Sequence, residues 1–423
     1  VAIRRRAARA AARDARNELS ESPRGNDVAA ARLVQQLAHA VQPMRANRSS
    51  TTLRAMPPVS RRSFLATALA APVAARAPRP QDPQPEVVWT DVADWPIEGR
   101  AFGERKAPYD RLPAAAEGVV RPEVWELARQ SAGMIARFTT DSPSLRVRYR
   151  LTKGALALPH MPATGVSGVD LYGRDGAAWR WIEVTRPQQR DVAHTLFDKA
   201  PTTGAREFLL CLPLYNGVER LELGVAPGAQ LTPLPRRGDQ KPPIVCYGTS
   251  IMQGASASRP GMAWPAILGR RLDREIVNLG FSGNGRMEAE VGHFVVALDA
   301  AAFVVDCLPN MSTRLVAERT EPLVAQLRAK RPTTPILLVE DRTFASAWFH
   351  DARRKEHAAR RQALRAAHAN LVAAGDRNVH LLAGDGLLGN DNDGTTDGSH
   401  PNDLGMLRMA EAVDAALRPL LVG

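Results

Sequence analysis

The chain has 423 residues, too long for one ordinary domain and long enough to bury two cores. Its formal charge of +12 invites a nucleic-acid reading until the charge is placed. Fourteen of the 56 basic residues and four of the 44 acidic ones lie in residues 1–77, leaving 42 against 40 for the rest. The folding part is thus nearly neutral. With no stripe of Lys/Arg between aromatics, no zinc-finger spacing and no helix-turn-helix pattern, a nucleic-acid partner is not expected.

In chain order, residues 1–55 are Arg/Ala-rich and are read as an extension ahead of a true start at Met56; the rival reading is a helical tail that binds something acidic. Ser60-Arg61-Arg62-Ser63-Phe64-Leu65 then opens a short apolar run that ends in Ala75-Arg76-Ala77. A charged start, a short greasy middle and a small-x-small site are the parts of an export signal. The paired arginines point to the twin-arginine route, so residues 56–77 are expected to send the protein to the periplasm or outside the cell. The apolar run falls short of the ~20 residues needed to span a bilayer, so no stable membrane span is expected.

Residues 78–86 hold Pro78-Arg79-Pro80-Gln81-Asp82-Pro83-Gln84-Pro85, an extended linker without core-forming side chains. From 87 to 225 the runs are short and alternate, as in Leu145-Arg146-Val147-Arg148-Tyr149-Arg150-Leu151 and Trp179-Arg180-Trp181-Ile182-Glu183-Val184. Period-two alternation buries one face and wets the other, which predicts antiparallel sheets packed as a β-sandwich. Trp179 and Trp181 share a face and are read as packing against the neighbouring domain rather than as a sugar platform. Residues 226–243, rich in Pro, Gly and charge, read as a second linker.

From 244 to 423 the pattern changes. Strand-like runs Ile244–Tyr247, Ile276–Leu279, Phe303–Leu308, Ile336–Glu340 and Val379–Leu382 alternate with helical stretches Met262–Asp273, Met287–Leu298, Leu315–Arg331, Arg353–Ala374 and Asp403–Leu417. This predicts an α/β domain: a parallel five-stranded sheet with helices on both faces and a site beyond the carboxyl ends of its strands.

Chemistry-bearing residues fall at those ends. Tyr247-Gly248-Thr249-Ser250 follows the first strand and offers a nucleophile. Asp397-Gly398-Ser399-His400 puts a carboxylate three residues before an imidazole on one tight turn, where it can fix the tautomer of a base. Gly283, in the loop after the second strand, and Asn310, after the third, supply a main-chain N–H and a side-chain amide. With the N–H of Ser250 they suit an oxyanion hole. Cys211, Cys246 and Cys307 sit in apolar runs and read as core thiols.

Ser250, Gly283, Asn310 and His400, in that order and one per block, resemble the SGNH (GDSL-type) hydrolase superfamily over residues 244–423. The first block reads Gly-Thr-Ser-Ile rather than Gly-Asp-Ser-Leu, and the third Leu-Pro-Asn-Met rather than Gly-x-Asn-Asp; these departures bear on subfamily and substrate. Upstream, Gly168-Val169-Asp170-Leu171-Tyr172, with Asp110-Arg111-Leu112-Pro113 and Val124-Trp125, resembles the β-sandwich of a bacterial branch of these esterases. The resemblance implies a flavodoxin-like sheet, a Ser250-His400-Asp397 triad and an oxyanion hole of Ser250, Gly283 and Asn310. It also implies a secreted esterase acting on short acyl groups, O-acetyl groups on carbohydrate among them, with no cofactor. The alternatives are a lipid or thioester acylhydrolase, and a glycan-binding surface protein with a vestigial hydrolase domain; the intact residue set argues against the last. No metal is expected: Asp391-Asn392-Asp393-Gly394 lacks calcium-loop spacing, and His293, His350, His357 and His368 lack metal spacing. Gly280, Gly283 and Gly285 do not have the order of a dinucleotide fingerprint.

Overall fold

The computed structural model describes residues 86–201 and 204–421. The expected extension, the export signal and the first linker as far as Pro85 lie outside them.

Nine strands among the described residues make the expected sandwich. One sheet runs in the order β1 (Val88–Asp91), β8 (Val218–Val225), β3 (Leu145–Leu151), β6 (Asp191–Phe197). The other runs β5 (Ala178–Val184), β4 (Asp170–Asp175), β7 (Arg206–Cys211), β2 (Ile135–Thr140), β9 (Leu231–Pro233). Every pairing is antiparallel. On β3 the alternation works as written: Leu145, Val147, Tyr149 and Leu151 are buried, while Arg146, Arg148 and Arg150 are only partly covered. Phe208 stacks on its cross-strand partner Phe138 and, across the sandwich, on Phe197 of the other sheet, each at 5.5 Å. Strand β9 lies in the stretch read as the second linker and pairs with β2.

The second half holds β10 (Ile244–Gly248), β11 (Ile276–Gly280), β12 (Ala302–Asp306), β13 (Ile336–Val339) and β14 (Val379–Leu382), all parallel, in the order β11-β10-β12-β13-β14. In order of occurrence that is 2-1-3-4-5, the flavodoxin-like arrangement, with its switch point beside β10. Successive residues of β10 face opposite layers. Ile244 and Cys246 pack with α4 (Trp264–Leu272) and α8 (Asp403–Leu417), whereas Val245 and Tyr247 pack with α5 (Ala289–Ala297) and α6 (Thr313–Lys330). Because both faces are covered, the strands are continuously apolar rather than alternating. The three cysteines are buried and unpaired, and burial pushes each thiol up.

An apolar layer and a buried carboxylate are among the features that bind the halves together. Residues from the N-terminal half, Leu112, Ala116 and Val120 with Val124, Trp125 and Ala128 of α1 (Pro122–Ala128), complete the apolar layer against β11. Asp170, fully buried at the start of β4, acts as a clasp. Its Oδ2 accepts from the Gly261 N–H and from Arg259 Nη1, both at 2.8 Å, and its Oδ1 from Trp181 Nε1 at 2.8 Å. Burial pushes this carboxyl up, opposed by Arg259. Trp179 reaches Asp273 of the α/β half at 3.5 Å. The Gly-x-Asp-Leu-Tyr strand therefore does more than start a sheet. No helix among the described residues is long and apolar enough to cross a membrane.

Candidate active site

Strand β10 ends at Gly248, and the chain turns through Thr249 into the one-turn helix α3 (Ser250–Gln253). Thr249, which stands where the commoner motif has Asp, caps that turn: its Oγ1 accepts from the Ile251 N–H at 3.3 Å. Ser250 is thereby placed at a helix start above the sheet, with only 6% of its surface exposed. Its Oγ lies 2.9 Å from His400 Nε2.

His400 comes from the turn between β14 and α8. Asp397 Oδ1 accepts from the main-chain N–H groups of Ser399 at 3.0 Å and His400 at 2.8 Å, closing the turn. Its other oxygen, Oδ2, is 2.7 Å from His400 Nδ1. Gly398 between them adopts φ +90°, and a Cβ there would run into the Phe344 ring at 2.4 Å, so glycine is required on both counts. Burial pushes the Asp397 carboxyl up, but the hydrogen bonds from the His400 ring and the turn amides outweigh it and hold it below the usual carboxylate range. With Nδ1–H directed at the carboxylate, Nε2 is left as the acceptor facing Ser250, the tautomer a general base requires.

The loop after β11 curls back onto this turn, with the Phe281 N–H donating to Gly248 O at 2.9 Å. Gly283 has φ +71°, open space where a Cβ would stand, and an N–H without a partner among the described residues. Asn310 lies four residues beyond β12, in the 3-10 turn Leu308–Asn310. Its amide is oriented by hydrogen bonding: Oδ1 accepts from the Asn284 N–H at 3.0 Å and the Gly285 N–H at 3.2 Å, which turns Nδ2 to the opposite side. Ser250, His400 and Asp397 thus form one hydrogen-bonded chain, and Asn310 is tied to the loop that carries Gly283. Asp391 is committed to Arg408 at 2.7 Å, and Asp385 to Arg361 at 2.5 Å.

Sequence reasoning missed the supports supplied by the N-terminal half. Arg111, 1% exposed and without a carboxylate partner among the described residues, donates to Gly280 O at 2.7 Å, Asn278 O at 3.1 Å, Gln130 O at 2.8 Å and Leu127 O at 2.7 Å. Its guanidinium lies 5.1 Å from the Phe281 ring centre. Buried Gln253, at the end of α3, donates to Gln130 Oε1 at 2.5 Å and accepts from the Ser282 N–H at 3.1 Å. Arg121 donates to Asn284 Oδ1 at 2.8 Å, and Tyr215 OH donates to Ser250 O at 3.3 Å. His160 stacks on the His400 ring with centroids 5.2 Å apart. The Asp-Arg-Leu-Pro motif was visible, but nothing in its pattern placed Arg111 beneath a loop about 170 residues on.

Two family models match the chain: the GDSL-like lipase/acylhydrolase family over residues 240–418, and the GxDLY N-terminus of SGNH-hydrolase-type esterases over residues 87–231. Among solved structures, a GDSL-like lipase from Bacteroides ovatus ATCC 8483 is 34% identical, with TM-score 0.74, covering 79% of this chain and 98% of its own. The salicylyl-acyltransferase SsfX3 of a tetracycline biosynthetic pathway, 23% identical at TM-score 0.64, covers 80% and 99%. A family two carbohydrate esterase from Cellvibrio japonicus, 12% identical at TM-score 0.51, also covers 80% and 99%. These last two share the fold. No curated protein matches the chain. From the B. ovatus likeness along nearly the whole of that structure, and from the two family models in tandem, the chain belongs to the GDSL-like lipase/acylhydrolase family of serine ester hydrolases, in the branch that carries a GxDLY domain ahead of the hydrolase.

Proposed function

We propose that this protein hydrolyses short-chain acyl esters of hydroxyl-rich alcohols through a Ser250-His400-Asp397 triad. The observation that carries the reading is the continuous chain Ser250 Oγ–His400 Nε2 at 2.9 Å and His400 Nδ1–Asp397 Oδ2 at 2.7 Å. His400 takes the Ser250 proton as Oγ attacks the acyl carbon, forming a tetrahedral oxyanion. The N–H groups of Ser250 and Gly283 and Nδ2 of Asn310 hold that oxyanion. As the carbonyl re-forms, the alkoxide leaves and receives the proton from His400. A water molecule then attacks the acyl-enzyme, gives its proton to His400, and the acid is released as Ser250 regains a proton.

A polar substrate is supported by a hollow of about 310 Å³ lined by Pro309, Asp341, Phe344, Arg353, His357 and Ser399 among others. Pro309 and Ser399 are the chain neighbours of Asn310 and His400. Carboxylates, guanidinium groups and an aromatic ring suit hydroxylated ligands better than acyl tails. O-acetyl groups on carbohydrate are therefore the preferred substrate class. Arg61-Arg62, the apolar run behind them and Ala75-Arg76-Ala77 support export by the twin-arginine route.

The test is hydrolysis of a panel of p-nitrophenyl acyl esters and acetylated oligosaccharides, with a serine-directed phosphonate located by mass spectrometry. An adduct on Ser250, lost in Ser250→Ala together with activity, is expected; an adduct on another serine refutes the assignment. For export, expression from Met56 should give a processed protein outside the cytoplasm, and Arg61→Lys with Arg62→Lys should retain the precursor.

A further inference from the structure

Leu158 and Met161 exchange both main-chain hydrogen bonds, at 2.9 and 3.0 Å, which makes Pro159 and His160 the tip of a tight turn in the N-terminal half. The turn is anchored to the α/β half on its far side. Met161, 2% exposed, joins the apolar core that includes Met252 and Ala257. Thr164 Oγ1 donates to Ser258 O at 2.5 Å, and Ser258 donates in turn to Asp403 through its N–H at 2.9 Å and its Oγ at 2.5 Å. Asp403 lies three residues after His400, so this chain of contacts fixes the tip relative to the catalytic turn.

The His160 ring lies roughly parallel to the His400 ring in an offset stack, with planes 23° and centroids 5.2 Å apart. His400 has both nitrogens engaged, with Asp397 and Ser250, and His160 lies offset along one side of its ring. Neither nitrogen of His160 bonds any of the described residues, although the side chain is partly buried. A neutral imidazole offers one donor and one acceptor, the complement of a hydroxyl group. The departing alcohol must lie at the Nε2 edge of His400 to collect its proton, and a ring offset along the side of His400 borders that space.

We propose that His160 is the alcohol-side wall of the active site. It keeps the His400 imidazole in line between Asp397 and Ser250, and its free ring nitrogens bind a hydroxyl of the leaving alcohol. The GxDLY domain thereby selects the alcohol while the α/β domain performs the acyl chemistry. This rests on the esterase reading given above.

The experiment compares wild type, His160→Ala and His160→Phe on p-nitrophenyl acetate and on a mono-O-acetylated xyloside, with thermal unfolding to check folding. His160→Ala should lose about threefold to tenfold in kcat/KM on the aryl ester, from the ring support alone, and clearly more on the xyloside, where a hydrogen bond is lost as well. His160→Phe preserves the stack without the polar edge. It should stay within about threefold of wild type on the aryl ester, which has no hydroxyl to bind, yet fall about tenfold on the xyloside. His160→Ala at wild-type kcat/KM on both substrates overturns the proposal, as does His160→Phe at wild-type level on the xyloside. Phosphonate labelling separates the two layers of the argument. A wild type that neither hydrolyses esters nor labels at Ser250 refutes the esterase reading, whereas an active, labelled wild type with unaffected variants refutes His160 alone.

Discussion

Replacing Asp397 by Asn tests the catalytic chain at its least buried link. Oδ1 accepts from two main-chain N–H groups at 3.0 and 2.8 Å, and an Asn carbonyl oxygen can keep both bonds, so the turn should survive. The other end then presents an NH₂ group to His400 Nδ1, where Oδ2 stood at 2.7 Å. Two donors cannot face each other, so the imidazole moves its proton to Nε2 and loses the lone pair that receives the Ser250 proton. Asp385 cannot stand in as acceptor, since it is held by Arg361. The expected fall in kcat is up to ~10⁴-fold, as when a triad carboxylate is lost elsewhere, which corresponds to about 5 kcal/mol of activation free energy. KM and the unfolding midpoint near neutral pH should change little, because the Asp397 side chain is 38% exposed. The assay is steady-state hydrolysis of p-nitrophenyl acetate beside the rate of phosphonate addition to Ser250; both should drop together. An Asp397→Asn enzyme keeping more than about a tenth of wild-type kcat would refute the tautomer argument, given the ~10⁴-fold loss expected. Acid adds a second readout. Because the folded carboxyl is held below its usual range, its contribution to stability is complete above about pH 4 and is lost as pH falls through the lowered value. The Asp397→Asn variant should therefore lose less stability than wild type on acidification through that window.

Asn310→Ala should lower kcat by roughly 10²–10³-fold with KM nearly constant, about 2.7–4 kcal/mol for one oxyanion donor; wild-type kcat would remove Asn310 from the hole. Asp306→Ala, at the end of β12, strips the carboxylate paired with buried Arg342, and chemical denaturation should register a loss of about 3–5 kcal/mol. The double variant Asp306→Leu with Arg342→Met should cost clearly less than the single one. Arg111→Lys keeps the charge but not the fork that reaches four carbonyls, so stability should fall by about 1–3 kcal/mol. Its kcat should fall more than its KM rises, because the groups released, Asn278 O and Gly280 O, lead directly into the Gly283 loop.

Local pattern made much of this molecule legible. The strand Leu145–Leu151 declares itself because one side of it is buried, and the parallel strands because both sides are. The end of each parallel strand then fixes where Ser250, Gly283 and Asn310 must stand, and Asp397 with His400 is a contact between neighbours on one turn. Less visible was whatever depends on a partner distant in sequence. Leu231–Pro233 sits among prolines and glycines and becomes a strand only because β2 offers it an edge.

Arg111 is the clearest instance. An arginine inside Asp-Arg-Leu-Pro looks like a surface cation, and burying one without a carboxylate opposes the ordinary preference for solvent or an ion pair. It is tolerated here because four carbonyl oxygens, two from its own half and two from β11, occupy its donors. The two acceptors on β11 come within reach only once the two halves are packed together. The same packing brings Gln130 to Gln253, Arg121 to Asn284 and Tyr215 to the carbonyl of Ser250. A strand end and a glycine can place an oxyanion donor within an ångström or so, but catalysis by preorganised dipoles needs the donor held there. Some of the residues that brace the Gly283 loop come from the GxDLY half, so the candidate site is built from two domains although its four recognisable residues lie in one.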